Sequence, residues 1–447
     1  MDTRAIPAGL AVQDGMRSDA VTDLERDTIR RINRRFMPIL VVAYMVSFID
    51  RVNVGFAALT ANRELGLSAT AYGWGAGIFF LGYFLFEYPS NVMMGRVGAR
   101  IWLSRIMITW GFISAGMALV TGPVSFCIAR FLLGVAEAGF FPGLLLFASL
   151  WYPKAYRARC IGIMLVGMAV SSLVGAPISG LLLGLDGWLG LSGWQWMYII
   201  EGLPAVVLGV LLLFVLTDTP DKAEWLSREQ RDWLRRTLAT EPVRAHAARN
   251  VWATIRDPRV LFYALLFFNV TTASYGLSLW LPQIIKAAGL TNAQTGFVTA
   301  IPYAFGTLAM VLGGWWSDRH ADRIVPTAAM TFLVAAGLTA SVWLAQPLAQ
   351  FAAICVVMIG IYGLKGPSLA LYTESFPGPA AAGSIAMVTA LGNLSGFLPP
   401  YLVGWIKDAT GHFTYGLLFL AGVAFLGGVQ ALLAPAFERR CAASATR

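Results

Sequence analysis

Long apolar stretches alternate with short polar ones along most of this chain. Each apolar stretch runs for about 20 residues or more and is continuous, without the residue-by-residue alternation of a membrane β-barrel. About 20 apolar residues cross a bilayer as an α-helix. We therefore predict an all-α membrane protein with twelve transmembrane helices, at about 37–59, 72–94, 101–121, 124–149, 160–183, 196–216, 259–285, 294–316, 325–345, 347–373, 382–406 and 413–435.

A charged segment in the middle of the chain divides these helices into two groups of six. The predicted domains are an N-terminal tail (1–36), a first half (37–216), a linker (217–258), a second half (259–437) and a C-terminal tail (438–447). Within the linker, Ser227–Trp233 has the pattern of an amphipathic surface helix. Two six-helix halves match the parallel-repeat plan of secondary transporters, whose substrate site lies between the halves.

A short basic segment follows the second predicted span of each half. These segments are Gly95–Arg100 and Ser317–Arg323, and they indicate a weak internal repeat. The alternative is that any short cytoplasmic loop is basic. Lys and Arg are also concentrated before the first span and after the fourth, so the positive-inside rule predicts that both termini and the linker are cytoplasmic.

Composition points in the same direction. The chain is 57% hydrophobic and 13% charged, whereas soluble proteins carry about 25% charged residues. The net charge of +9 reflects basic residues at the ends of apolar stretches, so we expect the lipid bilayer as a partner and no nucleic acid. The residues before about 36 are polar, so the first span is expected to act as the insertion signal.

The sequence contains no pattern typical of an enzyme. The cysteines (Cys127, Cys160, Cys355 and Cys441) are scattered and have no metal-site spacing. The Gly-Lys pairing of a phosphate-binding loop is missing, which argues against ATP-driven transport by this chain. We expect no enzymatic activity, no cofactor and no metal.

Asp50 and Arg51 lie inside the first predicted span. A charge at this depth costs roughly 2.5–3.5 kcal/mol on insertion scales and therefore needs a partner or a wet cavity. Adjacent residues on a helix do not face each other. We therefore expect Asp50 and Arg51 to find partners on other helices.

The fourth predicted span carries a second charged pair, Arg130 and Glu137. They are seven residues apart and so share one helix face, about two turns apart. Gly134, Gly139 and Gly143 would let a neighbouring helix approach closely. Charged residues within spans are functional by default, and the alternative is a structural ion pair between helices. Because the histidines fall in loops or at helix ends, a proton relay in the membrane would use Asp50 and Glu137.

Three further polar residues are candidates. Lys365 lies near the middle of the tenth span, where Gly366-Pro367 predicts a helix break that could line a cavity; snorkelling to an interface is the alternative. Tyr83 is a candidate in the second span, although a tyrosine there can simply pack. Asn393 in the eleventh span could instead bridge helices.

These motifs together resemble the Major Facilitator Superfamily and, within it, the anion:cation symporter branch of organic-anion transporters. The resemblance covers nearly all of residues 35–437, and its strongest pieces are Asp50–Gly55, Arg130–Gly143, Trp280–Lys286 and Gly404–Gly411. It implies proton-coupled uptake by alternating access. It also implies that Asp50 and Glu137 couple protons, that Arg51 and Arg130 bind the substrate carboxylate, and that Tyr83 and Asn393 match substrate-site positions.

Two positions depart from the family pattern. Gly95 stands where the loop after the second span usually carries an acid, which affects gating. Ser368-Leu369 stands where relatives often have two aromatic residues after Lys-Gly-Pro, which affects substrate choice.

The sequence favours a monomeric symporter that imports a small organic carboxylate (a hydroxy acid, sugar acid or aromatic acid) with protons across a bacterial inner membrane. Arg51, Arg130 and Lys365 would neutralise the anion, since arginine binds a carboxylate bidentately. One rival is a proton-coupled exporter of drug-like molecules, which Val174–Gly180 matches only in part. The other is a membrane sensor, which would need a sizeable soluble domain that the sequence does not contain.

Overall fold

The twelve predicted membrane spans are all present as helices. The structure is a computed structural model that describes residues 8–240, 254–320, 322–376 and 381–445. Within these ranges, twelve helical segments are long and apolar enough to cross a membrane. The predicted fold class, an all-α membrane protein of two six-helix halves, is confirmed.

The first half is built from α1 (Ala8–Glu64), α2 (Ala69–Val97), α3 (Ala99–Gly116), α4 (Pro123–Glu137), α5 (Phe140–Trp151), α6 (Lys154–Leu182) and α7 (Gly193–Val215). The linker contains α8 (Arg228–Ala239). The second half contains α9 (Pro258–Ser278), α10 (Leu281–Lys286), α11 (Asn292–His320), α12 (Ile324–Trp343), α13 (Pro347–Gly363), α14 (Lys365–Glu374), α15 (Ala381–Gly392), α16 (Leu398–Thr410) and α17 (Thr414–Ala445).

The first helix begins well before the predicted span. The sequence assigned residues 1–36 to a tail, whereas α1 is already helical from Ala8; residues 1–7 lie outside the described ranges. Ile32 and Phe36 in this extension are fully buried. The difference arises because a run of apolar residues marks the part of a helix that lies in the membrane. It does not mark the residue at which the helix begins.

Three of the spans that carry candidate residues are interrupted. The fourth span divides into α4 and α5 at Ala138-Gly139, where Gly139 has a left-handed φ of 86° that glycine adopts most readily. The tenth span divides into α13 and α14 at Leu364, two residues before the predicted Gly366-Pro367 break. The eleventh span divides into α15 and α16, separated by a 3₁₀ turn at Asn393–Gly396.

The predicted amphipathic linker helix is confirmed as α8. Ser227 caps it: the Gln230 backbone N–H donates to Ser227 Oγ at 3.2 Å, and the Ser227 N–H donates to Gln230 Oε1 at 3.1 Å. The Gln230 side chain also donates to Asp27 on α1 at 3.1 Å. Leu234 on its apolar face is fully buried. Residues 241–253 of the predicted linker lie outside the described ranges.

The linker before α8 is packed against the first half. The Trp225 ring stacks on Trp151 at 5.5 Å and meets Phe36 edge-on at 5.4 Å, between ring centroids. Trp151 Nε1 donates to the Thr217 carbonyl at 2.9 Å. Asp218 accepts the Arg100 backbone N–H at 2.9 Å. The segment from Thr217 through α8 is therefore part of the first half in structural terms.

The two halves meet at one end of the bundle. We call the end where α2 finishes and α3 begins the termini end, and the opposite end the far end. At the far end, Asp408 on α16 accepts hydrogen bonds from the Ala69 and Thr70 backbone N–H groups at 3.1 and 2.7 Å and from the Thr70 hydroxyl at 2.6 Å. A residue of the second half thereby caps the N-terminus of α2. Tyr72 adds a hydrogen bond to the Leu279 carbonyl at 2.8 Å.

Glycines allow this close approach. A Cβ at Gly73 would collide with the Pro400 carbonyl, and a Cβ at Gly180 would lie 2.8 Å from Gly296 Cα. Small residues at helix contacts are the usual means of bringing membrane helices together. The halves are thus closed against each other at the far end.

Candidate functional site

Asp50 is held by three donors within the first half. Its carboxylate accepts Trp110 Nε1–H at 2.7 Å, Ser114 Oγ–H at 2.9 Å and Asn53 Nδ2–H at 3.2 Å. Two of these donors come from α3, and Asp50 is 1% exposed. The expectation that Asp50 finds its partners on another helix is confirmed, although they are neutral donors and not a cation.

Arg51 finds its partner on α4. Its guanidinium forms an ion pair with Glu137, the last residue of that helix. Ser47, one turn before Arg51, donates to the same Glu137 oxygen at 2.9 Å. The other carboxylate oxygen of Glu137 is buried without a hydrogen-bond partner in the part of the chain that the structure describes. The Arg51–Glu137 ion pair therefore links α1 to α4.

Aromatic rings surround the Arg51 guanidinium. Its Cζ lies 5.1 Å from the ring centroid of Phe48, 5.4 Å from Phe79 and 5.3 Å from Tyr83. A guanidinium within about 6 Å of a ring face is attracted by the ring quadrupole. Tyr83, which is 7% exposed, therefore lies beside Arg51.

Arg130 is fully buried and poorly satisfied. It is 0% exposed, and its Nη2 donates to the Ala76 carbonyl at 3.3 Å. Its Nε and Nη1 have no hydrogen-bond partner among the described residues. Its guanidinium lies 4.9 Å from the Phe79 centroid, so Phe79 contacts both arginines. A buried donor without a partner costs about 1–3 kcal/mol, and more when charged. Arg130 therefore has N–H groups that are free to donate to an acceptor.

The backbone around Arg130 and Glu137 is fixed by tight packing. A Cβ at Gly134 would collide with the Phe79 carbonyl, so α2 and α4 touch there through their backbones. Gly139 turns the chain just after Glu137, and a Cβ there would collide with Ser90. The predicted role of these glycines in close helix approach is confirmed, and Gly139 has the additional role of ending α4.

The second half contributes Lys365 and Asn393. Lys365 is the first residue of α14, is half-buried, and its Nζ lies 5.6 Å from the Tyr362 ring centroid. Nearby Ser368 is 5% exposed, whereas Leu369 is 36% exposed. Asn393 begins the 3₁₀ turn in the eleventh span and is half-buried. Both residues therefore lie at breaks in membrane helices.

Sequence reasoning missed Tyr275, which lies at the interface between the halves. Tyr275 is on α9, and its ring contacts Phe80 of the first half at 4.5 Å between centroids. Nothing in the local sequence marks it, because a single tyrosine in a span is more often packing.

Glu201 on α7 is a further buried carboxylate. It is 5% exposed and accepts Ser179 Oγ–H at 2.6 Å. Its second oxygen has no hydrogen-bond partner among the described residues. Over the same part of the chain, no group of three or more His, Cys, Asp or Glu could hold a metal ion.

Comparison with known proteins agrees with this architecture. The sequence model of the family described as "Major Facilitator Superfamily" matches residues 40–400. A "Putative tartrate transporter" of Agrobacterium vitis is 46% identical over 420 residues, covering 93% of this chain and 94% of the relative. A "Quinolone resistance transporter" of Acinetobacter baumannii is 41% identical over 408 residues, covering 91% of this chain and 94% of the relative.

Among solved structures, a D-xylose–proton symporter has a TM-score of 0.72 at 14% identity, covering 89% of this chain and 96% of that one. At that identity, the likeness shows the fold alone. The relatives are transporters and not enzymes. With its two six-helix halves, and a family match over most of its length, this chain belongs to the Major Facilitator Superfamily.

Proposed function

We propose that this protein imports a small organic carboxylate together with protons by alternating access. The observation that carries the proposal is Arg130, a fully buried cation with two unpartnered nitrogens, close to the Arg51–Glu137 ion pair. A planar guanidinium with free N–H groups suits a carboxylate, which it binds through two parallel hydrogen bonds. The relationship to a tartrate transporter supports this substrate class.

The Arg51–Glu137 pair supplies a means of coupling. A substrate carboxylate that approaches Arg51 competes with Glu137 for the same guanidinium. Glu137, released from its cation in a buried position, then takes up a proton so that no uncompensated charge remains. Anion binding and proton binding favour each other in this scheme, since coupling between two sites is reciprocal. Asp50 is the second proton-coupling candidate, held close by on α1.

The second half completes the binding site. Lys365, Asn393 and Tyr275 would face the substrate from the side opposite Arg51 and Arg130. Lys365 would neutralise a second anionic or polar group, which suits a hydroxy-diacid or sugar acid. Tyr83 would contact the substrate from α2, beside Arg51.

The orientation follows from the basic loops. We place both termini in the cytoplasm of a bacterial cell, with the protein as a monomer in the inner membrane. The far end, where the two halves are in contact, then faces outward.

An uptake assay in proteoliposomes tests the proposal. Vesicles with an inward proton gradient should accumulate one or more labelled acids from a panel that contains tartrate, sugar acids and aromatic acids. Collapse of the gradient with an uncoupler should abolish accumulation but leave exchange intact. Absence of accumulation for every acid of the panel would contradict the proposal.

The competing function is proton-coupled export of drug-like molecules. It is favoured by the 41% identity to a quinolone resistance transporter. The same vesicles distinguish the two functions, because an exporter moves a fluorescent quinolone out of the vesicle as protons move in. Such an exporter also does not require Arg130 to bind a small acid.

A further inference from the structure

A cavity lies at the far end, separate from the residues around Arg51. Its volume is about 450 Å³, and none of its lining residues belongs to that site. Residues from both halves line it: Ala58 and Leu59 on α1, Gln283 and Lys286 on α10, Lys407 on α16, and His412 in the turn after α16. The cavity therefore spans the seam between the halves.

Two of the strongest sequence motifs meet here. Lys286 ends the Trp280–Lys286 stretch, and Lys407 lies within Gly404–Gly411. The predicted central site uses neither stretch, and they are more than 100 residues apart in the chain. The fold brings both lysines to one cavity.

Neutral groups hold the two ammonium groups. Lys286 Nζ donates to Asn292 Oδ1 at 2.8 Å. Lys407 Nζ lies 4.2 Å from the Phe413 ring centroid and 5.5 Å from the Trp280 centroid. The adjacent carboxylate, Asp408, is engaged with the N-terminus of α2.

No Asp or Glu lines the cavity within the described residues. Two lysines without a lining acid, set against apolar walls, make a region of positive potential that concentrates anions. The volume lies within the range of about 300–1,000 Å³ that small-molecule sites occupy.

We propose that the far-end cavity between Lys286 and Lys407 is a second binding site for a small organic carboxylate, distinct from the site around Arg51 and Arg130. Lysine ammonium groups bind carboxylates as point charges, without the fixed fork of arginine, so this site is less selective than the central one. The choice of carboxylate as the ligand rests on the proposed function.

The position of the cavity gives the bound anion a structural effect. Because α1 of the first half and α10 and α16 of the second half all line it, an anion there contacts both halves only while the far end is closed. A ligand shifts a conformational equilibrium toward the state that it binds more tightly. Occupancy of the far-end cavity therefore favours the far-end-closed state.

The test uses purified full-length protein in which Arg51→Gln and Arg130→Gln disable the central site. Thermal unfolding is followed while tartrate is titrated at constant ionic strength, with sodium chloride as the comparison salt. Tartrate should raise Tm saturably. Adding Lys286→Gln and Lys407→Gln should shift the half-saturating concentration upward by about tenfold or more, whereas Lys→Arg at both positions should retain binding.

Arg63→Gln is the matched control for charge. Arg63 is exposed at the end of α1, on the same face of the protein, and does not line the cavity. Its removal should leave the titration unchanged. If the Gln background does not yield folded protein by size-exclusion chromatography, the wild-type chain replaces it, and the lysine changes should remove one of two binding components.

Two results would overturn the proposal: equal tartrate curves with and without both lysines, or an identical rise in Tm with sodium chloride. The outcome is separable from the proposed function. Lysine-dependent binding in a protein that transports no acid leaves the far-end site standing, and accumulation of an acid by a protein without lysine-dependent binding leaves only the central site.

Discussion

Glu137 pairs with Arg51 on α1 and not with Arg130 on its own helix. Arg130 and Glu137 share a helix face two turns apart, but the ion-pair partner of Glu137 is Arg51. Arg130 has two nitrogens without a partner among the described residues, whereas the charge of Arg51 is neutralised by Glu137. The two arginines are accordingly expected to differ: Arg130 receives the anion, and Arg51 exchanges one carboxylate for another.

The coupling role of Glu137 gives the first prediction. Glu137→Gln resembles the protonated acid permanently and frees Arg51. We expect the variant to exchange labelled for unlabelled substrate across a vesicle membrane but not to accumulate substrate under an inward proton gradient. Both assays are run on the same proteoliposomes. Gradient-driven accumulation by the variant would leave Glu137 as a structural partner of Arg51 only.

The arginines give the second prediction. Arg130→Lys and Arg51→Lys keep the charge but lose the bidentate fork, so neither variant should transport the substrate. The affinity for substrate, measured by thermal stabilisation, should fall by at least about tenfold, equivalent to about 1.4 kcal/mol. Arg105→Lys is the control, because this α3 arginine contacts the Trp102 ring outside the site. Near-wild-type affinity in Arg130→Lys would remove that residue from carboxylate binding.

Substrate shape gives the third prediction. Leu369 is 36% exposed and follows Lys365 and buried Ser368 on α14. Leu369→Trp introduces a stacking surface where relatives often carry an aromatic residue. We expect the ranking of acids in a competition assay to move toward aromatic acids, with little change in expression. Leu348→Trp, at an exposed position at the start of α13, is the control. An unchanged ranking would show that Leu369 does not face the substrate.

The closure of the far end gives the fourth prediction. Asp408 caps α2 from the other half through the Ala69 and Thr70 N–H groups. Losing a helix cap costs about 1 kcal/mol, so Asp408→Ala should raise the far-end-open population about fivefold. Spin labels at Arg63 and His412, one on each half, should report a longer distance component.

The control for that prediction is Asp186→Ala. Asp186 also accepts a backbone N–H at a helix start, from Gly193 at 3.0 Å, but within the first half. It should leave the label distances unchanged. If Asp408→Ala and Asp186→Ala give the same distribution, the cap across the halves does not hold the far end closed.

Hydropathy was sufficient to predict the spans because the bilayer imposes a length on each one. The same physics identified Asp50, Arg51, Arg130 and Glu137, since charges at that depth are costly and stand out in apolar sequence. Glycine and proline identified the break near Lys365. These signals are local and can be read from one stretch at a time.

The partners of these residues could not be predicted in the same way. The Arg51–Glu137 pair, the contact between Tyr275 and Phe80, and the Asp408 cap join residues that are far apart in the chain. They depend on how helices are rotated and how deeply they sit. The extension of α1 to Ala8 was missed because it is helical but not apolar.

The packing of the linker determines where this protein can be divided into two chains. The segment Thr217–Ala239 is fixed to the first half through Trp225, Trp151 and α8. A gene split at residue 217 would therefore place Trp225 and α8 on a different chain from the first half. Trp151 would then lose its contact with Trp225 within its own fragment. A split after α8 keeps both folding units whole, so two fragments co-expressed with that junction should reassemble, while those with the earlier junction should not.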